Sequence, residues 1–371
     1  MTKLIEIPSV SGKEQQILTY LEKRARELDL PVRRSAVSSS QWNLLIGNCS
    51  APCLIFVAHV DTVEPAWERA TAARVRGNSV WGLGAVDDKG GIVACLLALM
   101  LARKTGVHLE ELPVAVGLTI DEEVNGTGSL ALAKAFQPAY AIVLEGTDLG
   151  IAVAEAGHVD LRVVIRGKSV HTGRFEEGDS ALLKAARFAG DLASHSFDSP
   201  IDPLIGRSAA NVIAFHSGSA ELNAIPDRAE LYVVARLGRG ISVQQVFSDI
   251  CNIGERYGAE VDLVETGIPG QMECSEPLGI SMDSRLVSAL QKAIQGTTGR
   301  PAKILASPSW TDMHNLIEYG GSEAVVFGPG RLQDAHGKRE HIDVRDILGC
   351  AEVFVGLLQQ IHSEEFLIGE T

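Results

Sequence analysis

Four runs of the chain are apolar at nearly every position, and each leads into a residue able to bind a metal or move a proton. Leu54–Ala58 ends at His59, and Val114–Ile120 ends at Asp121-Glu122-Glu123. Ala139–Leu144 ends at Glu145, and Glu323–Phe327 runs into Gly328-Pro329-Gly330 on the way to His336. Apolar runs without polar alternation are strands of a sheet covered on both faces. Helices packed on a mostly parallel sheet provide that cover, so the fold class expected is α/β. In open sheets of this class ligands bind at the carboxyl ends of the strands. Four strands here deliver His, Glu, Glu and His to that one edge.

A fifth segment belongs with them. In Val80-Trp81-Gly82-Leu83-Gly84-Ala85-Val86-Asp87-Asp88-Lys89-Gly90-Gly91, two adjacent carboxylates sit in a glycine-rich turn ahead of the apolar helix Ile92–Ala102. Adjacent carboxylates repel, and at a buried helix start they stay ionised only when a cation or several donors hold them. Asp87 is therefore a candidate metal ligand; the alternative is an ordinary helix cap.

At 371 residues the chain is long enough for two domains, and 46% hydrophobic with 22% charged residues describes a globular protein. A net charge of −14 argues against nucleic acid and anionic membranes as partners, since both require a basic face. Cys49, Cys53, Cys95, Cys251, Cys274 and Cys350 are scattered and form no Cys-x-x-Cys pair, which fits a reduced, cytoplasmic protein. No segment has the apolar length of about 18 residues that a membrane span needs.

Ser11-Gly12-Lys13-Glu14 has the spacing of a capping box and predicts a helix over about Lys13–Leu28, ended by Pro31. From His158 the pattern changes. Val159, Leu161, Val163 and Ile165 alternate with polar residues, and the elements that follow read β-α-β-β-α-β, the ferredoxin-like order. Metal-type residues resume only after that stretch. The expected organisation is a catalytic domain over 1–157 and 268–371, interrupted by an inserted α+β domain over 158–267. A closing helix, Asp343–His362, is expected to turn Val344, Ile347, Leu348, Val353, Leu357 and Leu358 inward.

A hydrolytic centre of two zinc ions about 3.5 Å apart needs a bridging carboxylate, neutral imidazoles, further carboxylates and a free base. His59, Asp87, Glu123, Glu145 and His336 supply five ligands, and Glu122 is left over to move a proton. Asp61, two residues beyond His59, is placed to orient its imidazole. Asp312 reads as a turn-forming residue, with an approach to the metals or substrate as the alternative; the other histidines read as structural, and neither a phosphate loop nor a Gly-x-Ser-x-Gly elbow is present.

His59-Val60-Asp61, Gly84-Ala85-Val86-Asp87-Asp88-Lys89-Gly90, Asp121-Glu122-Glu123, Leu144-Glu145-Gly146-Thr147 and Ala335-His336 resemble, in order and spacing, the dinuclear zinc aminoacylase/carboxypeptidase family. Its members include acetylornithine deacetylase, succinyl-diaminopimelate desuccinylase and glutamate carboxypeptidase. Ile7-Pro8-Ser9-Val10-Ser11-Gly12 is similar to the family's first-helix motif, so the resemblance spans the chain. It implies a zinc-peptidase-like catalytic domain with an inserted lid and dimerisation domain, and two zinc ions, with cobalt or manganese as alternatives. Asp87 would bridge the ions, His59 and Glu145 would hold one, and Glu123 and His336 the other. Glu122 would be the general base. Gly167-Lys168-Ser169-Val170-His171 matches the motif whose histidine serves the partner's site, and Asn223 and Arg236 stand where relatives bind the substrate carboxylate. The implied activity is hydrolysis of the amide bond of an N-acyl amino acid, with a dipeptidase or carboxypeptidase as the alternative and a non-catalytic metal-binding relative as the third reading. The partners implied are a small carboxylate-bearing substrate and a second copy of the chain. Two positions depart from the pattern: Val234-Ala235 precede Arg236 where many relatives carry an acidic residue or Asn, and Glu145 is followed by Gly rather than Pro.

Overall fold

The structure is a computed structural model and describes residues 1–107, 112–218, 223–264 and 274–363. His108 and the end of the expected inserted segment lie outside the described residues. The chain forms two compact units, one of residues 1–154, 279–307 and 311–371, the other of residues 155–278 and 308–310.

The first unit begins with helices α1 (Thr2–Glu6) and α2 (Gln15–Glu27) and strands β1 (Val32–Ala36), β2 (Trp42–Gly47) and β3 (Leu54–His59). Next come β4 (Arg74–Arg76), β5 (Ser79–Trp81), α3 (Lys89–Lys104), β6 (Val114–Thr119), α4 (Thr127–Phe136), β7 (Tyr140–Val143) and β8 (Ile151–Glu155). The second unit holds β9 (Gly157–Arg166), α5 (Ala181–Ser194), β10 (Ala209–Ser217), β11 (Arg228–Leu237), α6 (Val243–Glu255), β12 (Ala259–Leu263) and β13 (Cys274–Ser275). The chain closes with β14 (Leu278–Gly279), α7 (Arg285–Thr298), β15 (Ile304–Ser307), α8 (Asp312–Glu318), β16 (Glu323–Val326), β17 (His341–Asp343) and α9 (Val344–His362).

The main sheet runs β1-β2-β6-β3-β7-β16-β8-β14, with β15 against β8. Its centre, β6-β3-β7-β16, is parallel, as the apolar runs require, and β2 and β8 join antiparallel on either side. The antiparallel pairing of β1 with β2 follows from the short turn between them, too brief for a crossover. Every residue of β3 and of β6 is buried. Phe354 of α9 packs edge-on to Phe56 of β3 at 4.8 Å and lies 5.6 Å from Phe327.

Two local expectations change. Ser11 does not cap α2: its hydroxyl donates to Asp61 at 2.7 Å, and Glu14 instead accepts from the Gly12 amide at 2.7 Å. In α9, Ile347, Val353, Leu357 and Leu358 are buried, but Val344 and Leu348 are exposed, because the inward stripe starts one turn later. The second unit has the expected β-α-β-β-α-β order. Its strands pair antiparallel as β10-β11-β9-β12 over a core that includes Phe188, Leu231 and Ile250.

The start of α3 is pressed against the end of β7. A methyl group on Gly91 would fall 2.4 Å from Asp88 Oδ1 and 2.5 Å from the Leu144 carbonyl oxygen. Gly91→Ala should therefore destabilise the protein by about 1–3 kcal/mol through overpacking. Gly190, in exposed helix α5 with nothing within 4 Å of such a methyl, should gain about 0.4–1 kcal/mol on the same change. Thermal melts of the two variants check this, and a Gly91→Ala protein as stable as the parent would contradict the close packing.

Candidate metal centre

Asp87 sits between two imidazoles. His59 Nε2 lies 2.7 Å from Asp87 Oδ1, and His336 Nε2 lies 2.9 Å from Asp87 Oδ2. His336 Nε2 is also 3.1 Å from Glu123 Oε1. Donor atoms of His59, Glu122 and Glu145 lie within 4.8 Å of one another, as do those of His59, Asp87 and Glu123. The six residues come from the ends of β3, β6 and β7, the turn before α3, and the loop after β16. The structure thus brings together His59, Asp87, Glu122, Glu123, Glu145 and His336.

Burial and charge set the protonation of the cluster. Burial alone would raise the Asp87 carboxyl, but His336 and His59 hold it below the usual carboxylate range. For its neighbour Asp88, joined to it by a cis peptide, burial outweighs the opposing pull of His59 and pushes the carboxyl well up. Burial likewise raises Glu122 and Glu145 well above the ordinary glutamate value, reinforced for Glu145 by Asp87 and opposed for Glu122 by His59. Glu123 is raised by burial against the pull of His336. Asp87 and Glu123 lift His336 to about 10, and His59, despite burial, is raised by Asp61 and Asp87. Two imidazoles and several carboxylates converging in a buried space are the nitrogen and oxygen donors a borderline divalent ion takes. The donor set fits a metal centre, with Asp87 presenting one oxygen to each imidazole.

Asp61 organises the surroundings. Its Oδ1 lies 3.5 Å from His59 Nδ1, and its carboxylate accepts from the Glu122 amide at 3.2 Å, the Glu123 amide at 3.1 Å and the Ser11 hydroxyl at 2.7 Å. Asp121 is a turn residue with φ 63°, its carboxylate held by Asn125 Nδ2 at 3.0 Å and Thr127 Oγ1 at 2.6 Å.

A model of the peptidase family M20/M25/M40 matches residues 55–360. The chain belongs to this family. Among its relatives, a putative [LysW]-lysine/[LysW]-ornithine hydrolase of Aeropyrum pernix is 27% identical over 355 residues, covering 95% of this chain and 92% of that protein. A succinyl-diaminopimelate desuccinylase of Corynebacterium glutamicum is 26% identical over 370 residues, covering 98% and 95%. Among solved structures, a tripeptidase of Staphylococcus aureus shares the fold with a TM-score of 0.78 at 21% identity, covering 98% of this chain and 96% of that one. With a metal-type cluster at the strand ends, this member of the family is a metal-dependent amide hydrolase.

Three buried residues outside the ligand set make contacts that the sequence alone did not assign. Glu340 Oε1 accepts from the Val86 amide at 3.1 Å and so braces the Asp87 turn. Lys89, wholly buried, donates to the Ile7 carbonyl at 3.3 Å, and burial lowers its ammonium to about 8. Asp312, the first residue of α8, is buried, accepts from the Thr119 hydroxyl at 2.8 Å, and burial raises it to about 6. In sequence, Glu340 lies four residues after His336, Lys89 lies in the Asp87 segment, and Asp312 has an approach to the centre as its alternative reading.

In the second unit His171 is exposed and its Nδ1 accepts from the Gly173 amide at 3.0 Å. Asn223 lies on the adjacent segment, its carbonyl accepting from the Thr172 amide at 2.9 Å. Arg236 is exposed near the end of β11, opposite His158 of β9, and among the described residues it has no ion pair.

At pH 7 His336, lifted to about 10, carries a proton that a metal ion must displace. Metal loading should therefore release at least about one proton per chain, and affinity should rise between about pH 6 and 8. Calorimetry of metal binding in buffers of different ionisation enthalpy measures the proton count. Loading without proton release would contradict this ligand set.

Proposed function

We propose that this protein hydrolyses the amide bond of N-acyl amino acids with two zinc ions at the His59–Asp87–His336 cluster. The observation that carries the reading is the Asp87 carboxylate with one imidazole at each oxygen, 2.7 and 2.9 Å away, and three glutamates beside it. His59 and Glu145 would hold one ion, Glu123 and His336 the other, and Asp87 both. When bound, the ions supply Lewis acidity toward the amide carbonyl and the attacking water.

The chain's own residues supply the rest. Glu122 takes the proton from the attacking water and delivers it to the leaving nitrogen, a role suited to a carboxyl whose affinity for protons is raised by burial. Asp61 keeps the His59 ring oriented and, through the two amides, fixes the Glu122-Glu123 turn. His171 supports the carbonyl oxygen as it gains negative charge. Arg236, with Asn223, takes the free carboxylate of the substrate; a guanidinium with no ion pair among the described residues has its planar fork available for that purpose.

A homodimer through the second unit, read as an inserted lid, belongs to the same proposal. Strand β10 is an edge strand carrying exposed Ile213 and Phe215, and α5 exposes Leu182 and Leu183, a surface that a second copy would cover. A cytoplasmic setting agrees with six cysteines that form no disulfide among the described residues. No described helix is long and apolar enough to cross a membrane.

Glu122→Gln should keep metal and substrate binding while turnover falls about 10²- to 10⁴-fold, the usual worth of a positioned base. Mixing that variant with His171→Ala should restore part of the activity, since one site of the mixed dimer then has both groups. Failure of either variant to lose activity alone, or of the mixture to recover it, counts against the assigned roles.

The substrate is decided by a panel of N-acetyl, N-succinyl and dipeptide compounds, each with a free and an amidated carboxyl end. Free forms should be preferred on the order of 10²-fold or more in kcat/KM, and Arg236→Ala should erase that preference. Equal rates for free and amidated forms would reject Arg236 as the reader. The ranking of acyl groups against dipeptides separates a deacylase from a peptidase.

A further inference from the structure

The first unit contains a second concavity whose chemistry the hydrolytic centre does not use. A cavity of about 520 Å³ borders the small sheet β17-β5-β4, and its wall carries Arg69, Arg74, Arg76, Lys338 and Arg339 together with Trp67. In a chain with 33 basic and 47 acidic residues, five cations around one cavity are a marked local excess. Among the described residues none of the five is in an ion pair. The one carboxylate in the wall, Glu340, is buried and turns an oxygen to the Val86 amide at 3.1 Å.

The arrangement is built rather than scattered. Arg74 and Arg76 are two apart on β4, so strand alternation puts both on one face, with exposed Val75 on the other. The Arg76 guanidinium lies 5.4 Å from the Trp81 ring centroid, and Trp81 stacks on His341 at 4.3 Å. These contacts hold a guanidinium beside the cavity without neutralising it. Like charges gathered on a concave wall repel one another and focus a positive field into it, so an anion bound there is stabilised by all of them.

We propose that this cavity binds a small molecule carrying a diphosphate group. Its volume is within the range of small-ligand sites. A phosphate brings about −1.5 to −2 in charge and three acceptor oxygens, whereas a carboxylate brings about −1, so two linked phosphates match four guanidinium groups and an ammonium in the smallest space.

The test is calorimetric titration of the metal-loaded protein with inorganic pyrophosphate, ADP and citrate at low ionic strength, followed also by tryptophan fluorescence. Pyrophosphate should bind saturably, at least tenfold more tightly than citrate, and less tightly as salt is added. Arg74→Ser/Arg76→Ser should lose at least tenfold in affinity while hydrolytic activity without added anion and thermal stability stay at parent levels. Because that variant keeps the metal ligands, any pyrophosphate taken up by the metals is common to both proteins and drops out of the comparison. ADP binding more tightly than pyrophosphate, with the difference lost in Trp67→Ala, would identify a nucleotide; equal binding would identify the diphosphate alone. Pyrophosphate bound as well by the double variant as by the parent would overturn the proposal, and so would citrate binding as tightly as pyrophosphate. Lys338→Glu gives a second route to the same loss should the double variant fold poorly.

Discussion

A buried carboxylate must be compensated, and Asp87 is the point at which this molecule meets that demand. Removing an ionised carboxylate from water costs several kcal/mol even after relaxation, so it survives only where opposite charge and donors surround it. Asp87 has an imidazole at each oxygen, and Glu340 separately braces its backbone by accepting from the Val86 and Asp87 amides. Asp88, one residue on, has the His59 charge and amide to lower it, but burial outweighs them and drives it toward the neutral acid. The contrast between adjacent residues shows that the local backbone creates two buried carboxyls but equips only one to stay charged. The remaining glutamates are raised by burial, which marks the cluster as a place that favours added positive charge.

The rest of the centre hangs on Asp61. Its carboxylate joins the end of β3 to the turn after β6 and, through Ser11, to the segment before α2. Although burial opposes ionisation, His59 and Ser11 with the Glu123 amide hold Asp61 below the usual range, so its negative charge is available to orient the His59 ring. Preorganisation of this kind fixes ligands before any ion arrives, which limits the reorganisation that binding has to overcome. The glycines at the start of α3 serve the same end: without side chains at Gly90 and Gly91, the Asp87 turn reaches the end of β7 and the β17 edge, where Leu144 and Ile342 stand.

The parts legible in the sequence share a physical cause. Apolar runs are strong signals because a parallel strand covered on both faces tolerates few polar residues, and the residue that breaks each run is the one at the ligand edge. His59, Glu122, Glu123 and Glu145 were visible in that way, and Asp87 through the oddity of paired charge before an apolar helix. The contacts of Glu340, Lys89 and Asp312 were not legible because their burial is satisfied over long distances: Glu340 meets Val86 across 254 residues, and Asp312 meets Thr119 across 193. Ser11 shows the converse error, since a local capping pattern lost to a contact with Asp61 across 50 residues. Val344 and Leu348 failed for a simpler reason: an apolar residue on an outer face looks the same in sequence as one on an inner face.

Anomalous scattering from crystals of the protein loaded with zinc or cobalt tests directly whether Asp87 lies between two ions. Two anomalous peaks are predicted, each about 2.0–2.2 Å from a different oxygen of Asp87, one also within that distance of His59 and the other of His336. A single peak, or two peaks that leave Asp87 uncoordinated, would contradict that placement.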